Sequence, residues 1–502
     1  MLKKMKSIRN KNIIALLMGI VMLVSCEDLA EINENPNSVT SMPDQYLFTN
    51  MCKYTVSEAR QLIARSQVFF CGTWSHLYSS GYPEDRYRIN TDTDDENIVW
   101  QDLYSTTSLG LAVDLKNKLG PEGKTPNAVK YAMVDVVSFI KILKITDLYG
   151  DVPYSEAGRG VEGILLPKYD TQEFIYKDII DKLGQYITVF EGATTADGYG
   201  TADPFYAGDM AKWVKFANSL RLRLAMRMRY ADPSAAQTAI AASLAKPLMT
   251  SNDDNARILN FNTTVVYQYS GWYEAYVNEG SFRLSKLLVD KMNASNDPRL
   301  PIFALPNSLG GYEGYPNGLT SEARTAYDAT NVSVTAPILY AKDIPSYCLT
   351  YSEVCFLQAE AALYGLGGSN PNTHFQNGIT AAMLQWGVSQ IAIDTYLTTE
   401  PEASLTGTTE DDFRKICTQL WMSCISNNYE AYNVVRRTGY PVIPVRTGLE
   451  TPQLDVGLTN GTLPRRIQYP VTEITLNVAN CEEAIARQGA NLMTTKMWWD
   501  AK

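Results

Sequence analysis

The chain has 502 residues, 45% hydrophobic and 11% aromatic, with 44 basic side chains against 54 acidic ones and a net charge of −10. That balance argues against nucleic acid as a partner, because binding phosphate needs a basic footprint. A chain of this length and apolar content can bury a large core, as one big domain or two fused ones.

Residues 1–25 carry Lys3, Lys4, Lys6, Arg9 and Lys11, no acid, and then an apolar run over 13–24, the order of an export signal. Twelve residues of helix span about 18 Å against a hydrocarbon core of ~30 Å, so the run is a signal and not a permanent span. It ends in Leu23-Val24-Ser25-Cys26, which resembles a lipobox; the Cys26 thiol would receive diacylglycerol and become the first mature residue. Several acyl chains anchor stably where one is marginal. Glu27 and Asp28 resemble the surface-export signal of Bacteroidetes lipoproteins. Removing the leader leaves 39 basic residues against 54 acidic ones, a net of −15.

Residues 26–45, with Asn35-Pro36-Asn37, read as a tether between the lipid and a single folded body over 46–502. Within that body a helix is predicted over 127–146 through Val136, Ile140 and Leu143, and another over 174–186. A third, over 209–230, buries Trp213, Phe216, Leu220 and Leu224. Its other face carries Lys212, Lys215, Arg221, Arg223, Arg227 and Arg229, which reads as a solvated face of an acidic protein. Residues 350–387 give a helix pair, each member opened by a capping box: Thr350 with Glu353, then Thr373 with Gln376. Helix pairs are expected over roughly 46–250 and 350–390, and a loop-rich ligand half over roughly 255–348 and 390–502. The stretches 66–100, 191–208, 260–348 and 440–470 are rich in Gly, Asn, Pro and Tyr; loops this long are usually functional surfaces. Seven cysteines follow Cys26, an odd number, so at least one has no partner within the chain. Cys417 and Cys424 on one helix stand ~10 Å apart, beyond the ~7 Å limit for bridging, and read as buried apolar groups.

Five blocks, in order from residue 147 onward, resemble the SusD/RagB family: Asp147-Leu-Tyr-Gly-Asp-Val-Pro-Tyr154; Lys212-Trp-Val-Lys-Phe-Ala217 with Arg221 and Arg223; Ser352-Glu-Val-Cys-Phe-Leu-Gln-Ala-Glu360; Tyr429-Glu-Ala-Tyr432 with Arg436-Arg-Thr-Gly-Tyr-Pro441; and Leu463-Pro-Arg-Arg-Ile-Gln-Tyr-Pro470. Met497-Trp-Trp-Asp500 also fits. The resemblance implies a mainly α fold, four tetratricopeptide-like helix pairs packed against an irregular half. It further implies a surface-exposed outer-membrane lipoprotein that binds a glycan or peptide nutrient and delivers it to a SusC-like TonB-dependent barrel. The motifs themselves read as scaffold, with Arg465 and Arg466 placed to pair with buried acids.

Sugar rings present flat C–H faces that pack on aromatic rings, while their hydroxyls need polar partners. Residues 66–104 hold eight aromatics in 39, twice the chain average, and 261–315 hold ten. The ligand candidates are therefore Trp74, Tyr78, Tyr82, Trp272, Tyr273 and Tyr276 as platforms, with Arg86 and Asn278 as polar partners. Catalysis is not expected. Only His76 and His374 exist, and no hydrolase, metalloprotease or phosphate-binding motif is present. Asp92, Asp94 and Glu96 alternate like calcium ligands, but Asn97 and Leu103 stand where an EF-hand needs glycine and an acid. No cofactor or metal is expected. The alternatives are a scaffold subunit of the transporter that binds no nutrient, or a glycoside hydrolase built on two of the many carboxylates.

Overall fold

In the computed structural model, which describes residues 42–90, 94–280 and 282–502, the described residues are mainly helical with only short strands. The export run, Cys26 and nearly all of the tether lie outside the described residues, as does Asp92. The chain divides into an amino-terminal unit through Tyr46 and a compact unit from Leu47 to Lys502.

The principal helices are α1 (Ala128–Tyr149), α2 (Gln172–Glu191), α3 (Met210–Arg227), α4 (Pro233–Leu244), α5 (Gly271–Glu279), α6 (Tyr351–Leu363), α7 (Pro371–Gln385), α8 (Thr409–Ser423) and α9 (Asn428–Thr438). Their ends follow local chemistry. Asn127, Thr171, Asp209 and Asp232 each accept a backbone N–H from the first turn of the helix they precede. Gly150 ends α1 at φ 89°, and an added Cβ would lie 1.7 Å from Gln488 Oε1, so glycine is required there twice over.

The first predicted capping box forms by half. Thr350 accepts the Glu353 N–H at 3.3 Å, but the Glu353 carboxylate turns inward to Arg223 instead of back to the cap. The second does not form. Asn370 in the left-handed region precedes Pro371, and Thr373 and His374 fall inside the first turn of α7. Pro371 suits the first helical position because its missing N–H would have no partner there.

Packing follows chain order: α2 lies against α3, α3 against α4, α6 against α7 and α8, and α8 against α9. The α6–α7 contact is close because Gly378 leaves room for Phe356, whose Cε1 would lie 2.6 Å from an added Cβ. A wide turn, Ile63–Gly72, with π-type hydrogen bonding, packs on α9. Strands are short and pair as antiparallel ribbons: β1 (Tyr78–Ser79) with β3 (Arg283–Leu284), β2 (Ala256–Ile258) with β6 (Ser346–Leu349), and β4 (Ala304–Leu305) with β5 (Val334–Thr335).

Three expectations need correction. The second face of α3 is not solvated: Arg221, Arg223, Arg227 and Arg229 are buried. Residues 260–348 are not one loop, since they carry α5 and a further helix, Lys286–Ala294. Residues 390–502 hold α8, α9 and the helices Gln390–Thr399 and Val478–Gln488, so that part is helical as well. Cys417 and Cys424 are buried and free, as are the five other cysteines in the described residues.

Candidate functional site

Arg223 and Arg227 of α3, and Arg229 just after it, meet acids from distant elements, whereas Arg221 bonds Ser243, Asn218 and the Ala242 carbonyl. Arg223 Nε donates to Glu353 Oε1 at 2.5 Å, and Arg227 Nη1 donates to Asp147 Oδ2 at 2.5 Å while Nη2 reaches Glu430. Arg437 clasps Glu360 through two bonds of 2.5 and 2.6 Å, and Arg229 Nε stands 3.0 Å from Glu360 Oε1. Burial alone would raise the Glu360 carboxyl, yet Arg437 and then Arg229 hold it below its ordinary value. Arg465 pairs with buried Asp500 at 2.6 Å. Arg466 has no acid: it lies over the Tyr469 ring at 4.4 Å and donates Nε–H to the Ile467 carbonyl. Most of these groups come from the family-like sequence blocks, with Arg227 and Arg229 just beyond one of them. They lock the helices together, and apart from Arg466 each of these charges has an opposite partner.

Three of the expected platforms are core residues. Trp74 is fully buried, its Nε1 donating to the Glu84 carbonyl at 2.9 Å and its ring edge-on to Phe70 and Tyr432. Tyr78 and Trp272 pack on each other at 5.8 Å, also buried. An aromatic-rich stretch must fill its own interior first, and the largest rings do so. None of the three offers a face to a ligand.

Of the remaining candidates, Tyr273, Tyr276 and Asn278 lie on α5 and Tyr82 bonds its last residue, while Arg86 bonds Ser321 instead. Ser270 caps α5 by accepting the Trp272 N–H, which turns Trp272 and Ala275 into the core and leaves Tyr273, Tyr276, Val277 and Asn278 toward the outside. Tyr276 stacks flat on Tyr340, with centroids 3.5 Å apart and planes within 6°. Tyr273 stands edge-on to Tyr269 at 5.8 Å, and Lys342 Nζ lies 4.9 Å from the Tyr273 centroid and 5.8 Å from that of Tyr269. The Ser270 N–H donates to the Lys342 carbonyl at 2.8 Å, which joins the two segments. Burial first, and then neighbouring Tyr276, push the Tyr340 hydroxyl up to about 12. The Tyr340 phenol is therefore neutral at physiological pH.

Tyr82 is half-buried, stacked on Phe69 at 3.9 Å and donating to Glu279 Oε2 at 2.7 Å. Arg60 donates to the other Glu279 oxygen at 2.7 Å. Arg86 Nη1 bonds Ser321 Oγ at 3.2 Å, and the Asn278 amide donates to the Glu274 carbonyl on its own helix. Beside this group the loop before α5 exposes Leu259, Phe261, Val265, Val266 and Tyr267, an apolar rim of the kind that marks a binding surface.

Tyr340, Lys342 and Glu279 were not singled out from sequence. Tyr340 lies outside both aromatic-rich windows, and no local signal pairs it with Tyr276. The arrangement offers stacked and tilted ring faces with a cation and carboxylates at their edges, a surface suited to a flat, hydroxyl-bearing ligand.

No curated protein matches the chain. The SusD-like family, described as starch-binding associating with outer membrane, matches over residues 36–470. A solved structure described as a chitin-binding protein is 27% identical, with a TM-score of 0.80 over 92% of this chain and 100% of its own. A SusD homolog from Bacteroides fragilis is 25% identical, with a TM-score of 0.76 over 91% of this chain and 99% of its own. A chitin-binding SusD homolog from Flavobacterium johnsoniae, at 23% identity and a TM-score of 0.78 over 91% of this chain and 98% of its own, shares the fold. With most of its length inside the family match and its recurrent blocks forming the buried charged core, this chain belongs to the SusD-like family.

Proposed function

We propose that the protein is a surface-exposed lipoprotein, anchored to the outer membrane through Cys26, that captures a glycan and passes it to a SusC-like TonB-dependent barrel without chemical change. The observation that carries the glycan reading is the tyrosine group on α5, above all the flat Tyr276–Tyr340 pair with Tyr273, Tyr269 and Lys342 beside it. Half-buried rings suit the C–H face of a sugar, and Tyr82, bonded to Glu279 of α5, and Asn278 on α5 supply polar groups close by, with Arg86 four residues along the chain from Tyr82. Relatives described as binding starch or chitin support the same class of ligand.

The reading is tested by calorimetry of the mature protein against starch-type and chitin-type oligosaccharides, with product analysis on the same samples. Saturable binding with the saccharide recovered intact is the expected result. Released reducing ends would replace it with hydrolysis. Co-purification with a barrel but no heat of binding would leave a scaffold subunit. Peptides in the same assay test the other nutrient class.

A further inference from the structure

At the far end of the β2–β6 ribbon from the tyrosine group lies a cleft of about 340 Å3 with mixed walls: the turn at Thr250, Asn252 and Asp253, Tyr351 at the start of α6, and Asn377, Thr380 and the exposed Leu384 on α7. Its walls are pinned. Asn252 Nδ2 donates to the Ala381 carbonyl at 3.0 Å, and the Tyr351 N–H donates to Asn255 Oδ1 at 2.7 Å. The cleft therefore exists before any ligand arrives.

Thr250, Ser251 and Asn252 are engaged in holding the turn, whereas three other polar groups of the cleft are not. Neither the Asn377 amide nor the Thr380 hydroxyl bonds another described residue, and the Asp253 carboxylate accepts nothing. That is not the habit of this chain: Thr395, Thr398 and Thr399 all donate back to carbonyls of their own helix. Asn377 and Thr380 sit three residues apart, so they share one helix face, and that face lines the cleft together with the half-buried Tyr351. One carboxylate, one amide and one hydroxyl beside the partly exposed Tyr351 and Leu384 match a neutral polyhydroxylated ligand.

We propose that this cleft is a second binding site for a neutral sugar unit, separate from the tyrosine group. It depends on the proposed function only for the class of ligand. The two sites are joined by β6: Tyr340 and Lys342 precede it and Tyr351 follows it, so from Lys342 to Tyr351 the backbone spans at most about 30 Å. One long glycan that engages both would gain affinity through effective concentration, while a disaccharide would not.

Hydrogen exchange of the mature protein with a long chitin-type or starch-type oligosaccharide reads the two sites separately. Slowed exchange in both 371–385 and 271–279 is expected, together with binding at least about tenfold tighter than for the disaccharide. Asn377→Trp, at an exposed helix position, and Asn377→Ala with Thr380→Ala should each remove that gain and keep disaccharide binding. Protection confined to 271–279, or an unchanged gain in both variants, overturns the second site and leaves the first. Protection confined to the cleft supports the second site and overturns the tyrosine group. Protection in neither overturns both.

Discussion

Tyr82 donates its phenolic hydrogen to Glu279 at 2.7 Å, joining residues 197 apart in sequence. The bond fastens the turn after β1 to the last residue of α5. A carboxylate at a helix carboxy-terminus opposes the helix dipole, and here Arg60 offsets it from the other side at 2.7 Å. Burial acts to raise the Glu279 carboxyl, but Tyr82 and Arg60 outweigh it and hold the group below its ordinary value. Glu279→Gln should keep the shape and weaken the clasp. Because Arg60 is about one-third exposed, the stability loss should be about 0.5–1 kcal/mol, with a few-fold loss of oligosaccharide affinity. Unchanged affinity by calorimetry would remove Glu279 from the support of the site.

Tyr273→Ala and Tyr276→Ala should each reduce oligosaccharide affinity about tenfold and leave the melting temperature nearly unmoved, since both rings are half-exposed. Trp74→Ala and Trp272→Ala should do the opposite. Emptying the space of a buried tryptophan costs about 3–5 kcal/mol, and a thermal melt will read that loss directly. If the tryptophan variants lost affinity without losing stability, the assignment of these rings to the core would be wrong.

The Glu360–Arg437–Arg229 cluster should make the protein acid-sensitive. Glu360 is held below its ordinary value in the fold, so its contribution to stability is present above the unfolded carboxyl value of about 4.5 and is lost as pH falls through the lower, folded value. Glu360→Ala leaves two guanidinium groups buried without their acid, which should destabilise by about 3–5 kcal/mol at pH 7. Denaturant melts of wild type and variant from pH 7 down to pH 3 should converge; a constant gap would place the stabilisation elsewhere.

Glu84 should act with the opposite sign. Burial pushes its carboxyl up to about 8, and the backbone N–H groups of Glu84 itself and of Asn90 offset that only in part. Between about 4.5 and 8 the unfolded chain ionises this group and the folded one does not, so stability declines as pH rises across that window and levels off above it. Glu84→Gln removes the ionisation and should flatten the slope. Equal slopes for both proteins would show that Glu84 is ionised in the fold.

The sequence by itself determined α1, α2, α3, α6 and α7, because caps and apolar periodicity act within a few residues: Asp209 and Thr350 open helices where their side chains reach the next turn. It also carried the family blocks. Tertiary structure decided where charge and aromatic surface went. Arg223 and Arg227 look solvated in a helical pattern, and only the approach of Glu353, Asp147 and Glu430 from elsewhere in the chain lets them be buried. Likewise Trp74 and Tyr276 are equally good platforms as residue types, yet one fills the core and the other meets Tyr340 at the surface. Periodicity reports which face of an element is apolar; what that face meets depends on contacts between residues far apart in the chain, and no local pattern records them.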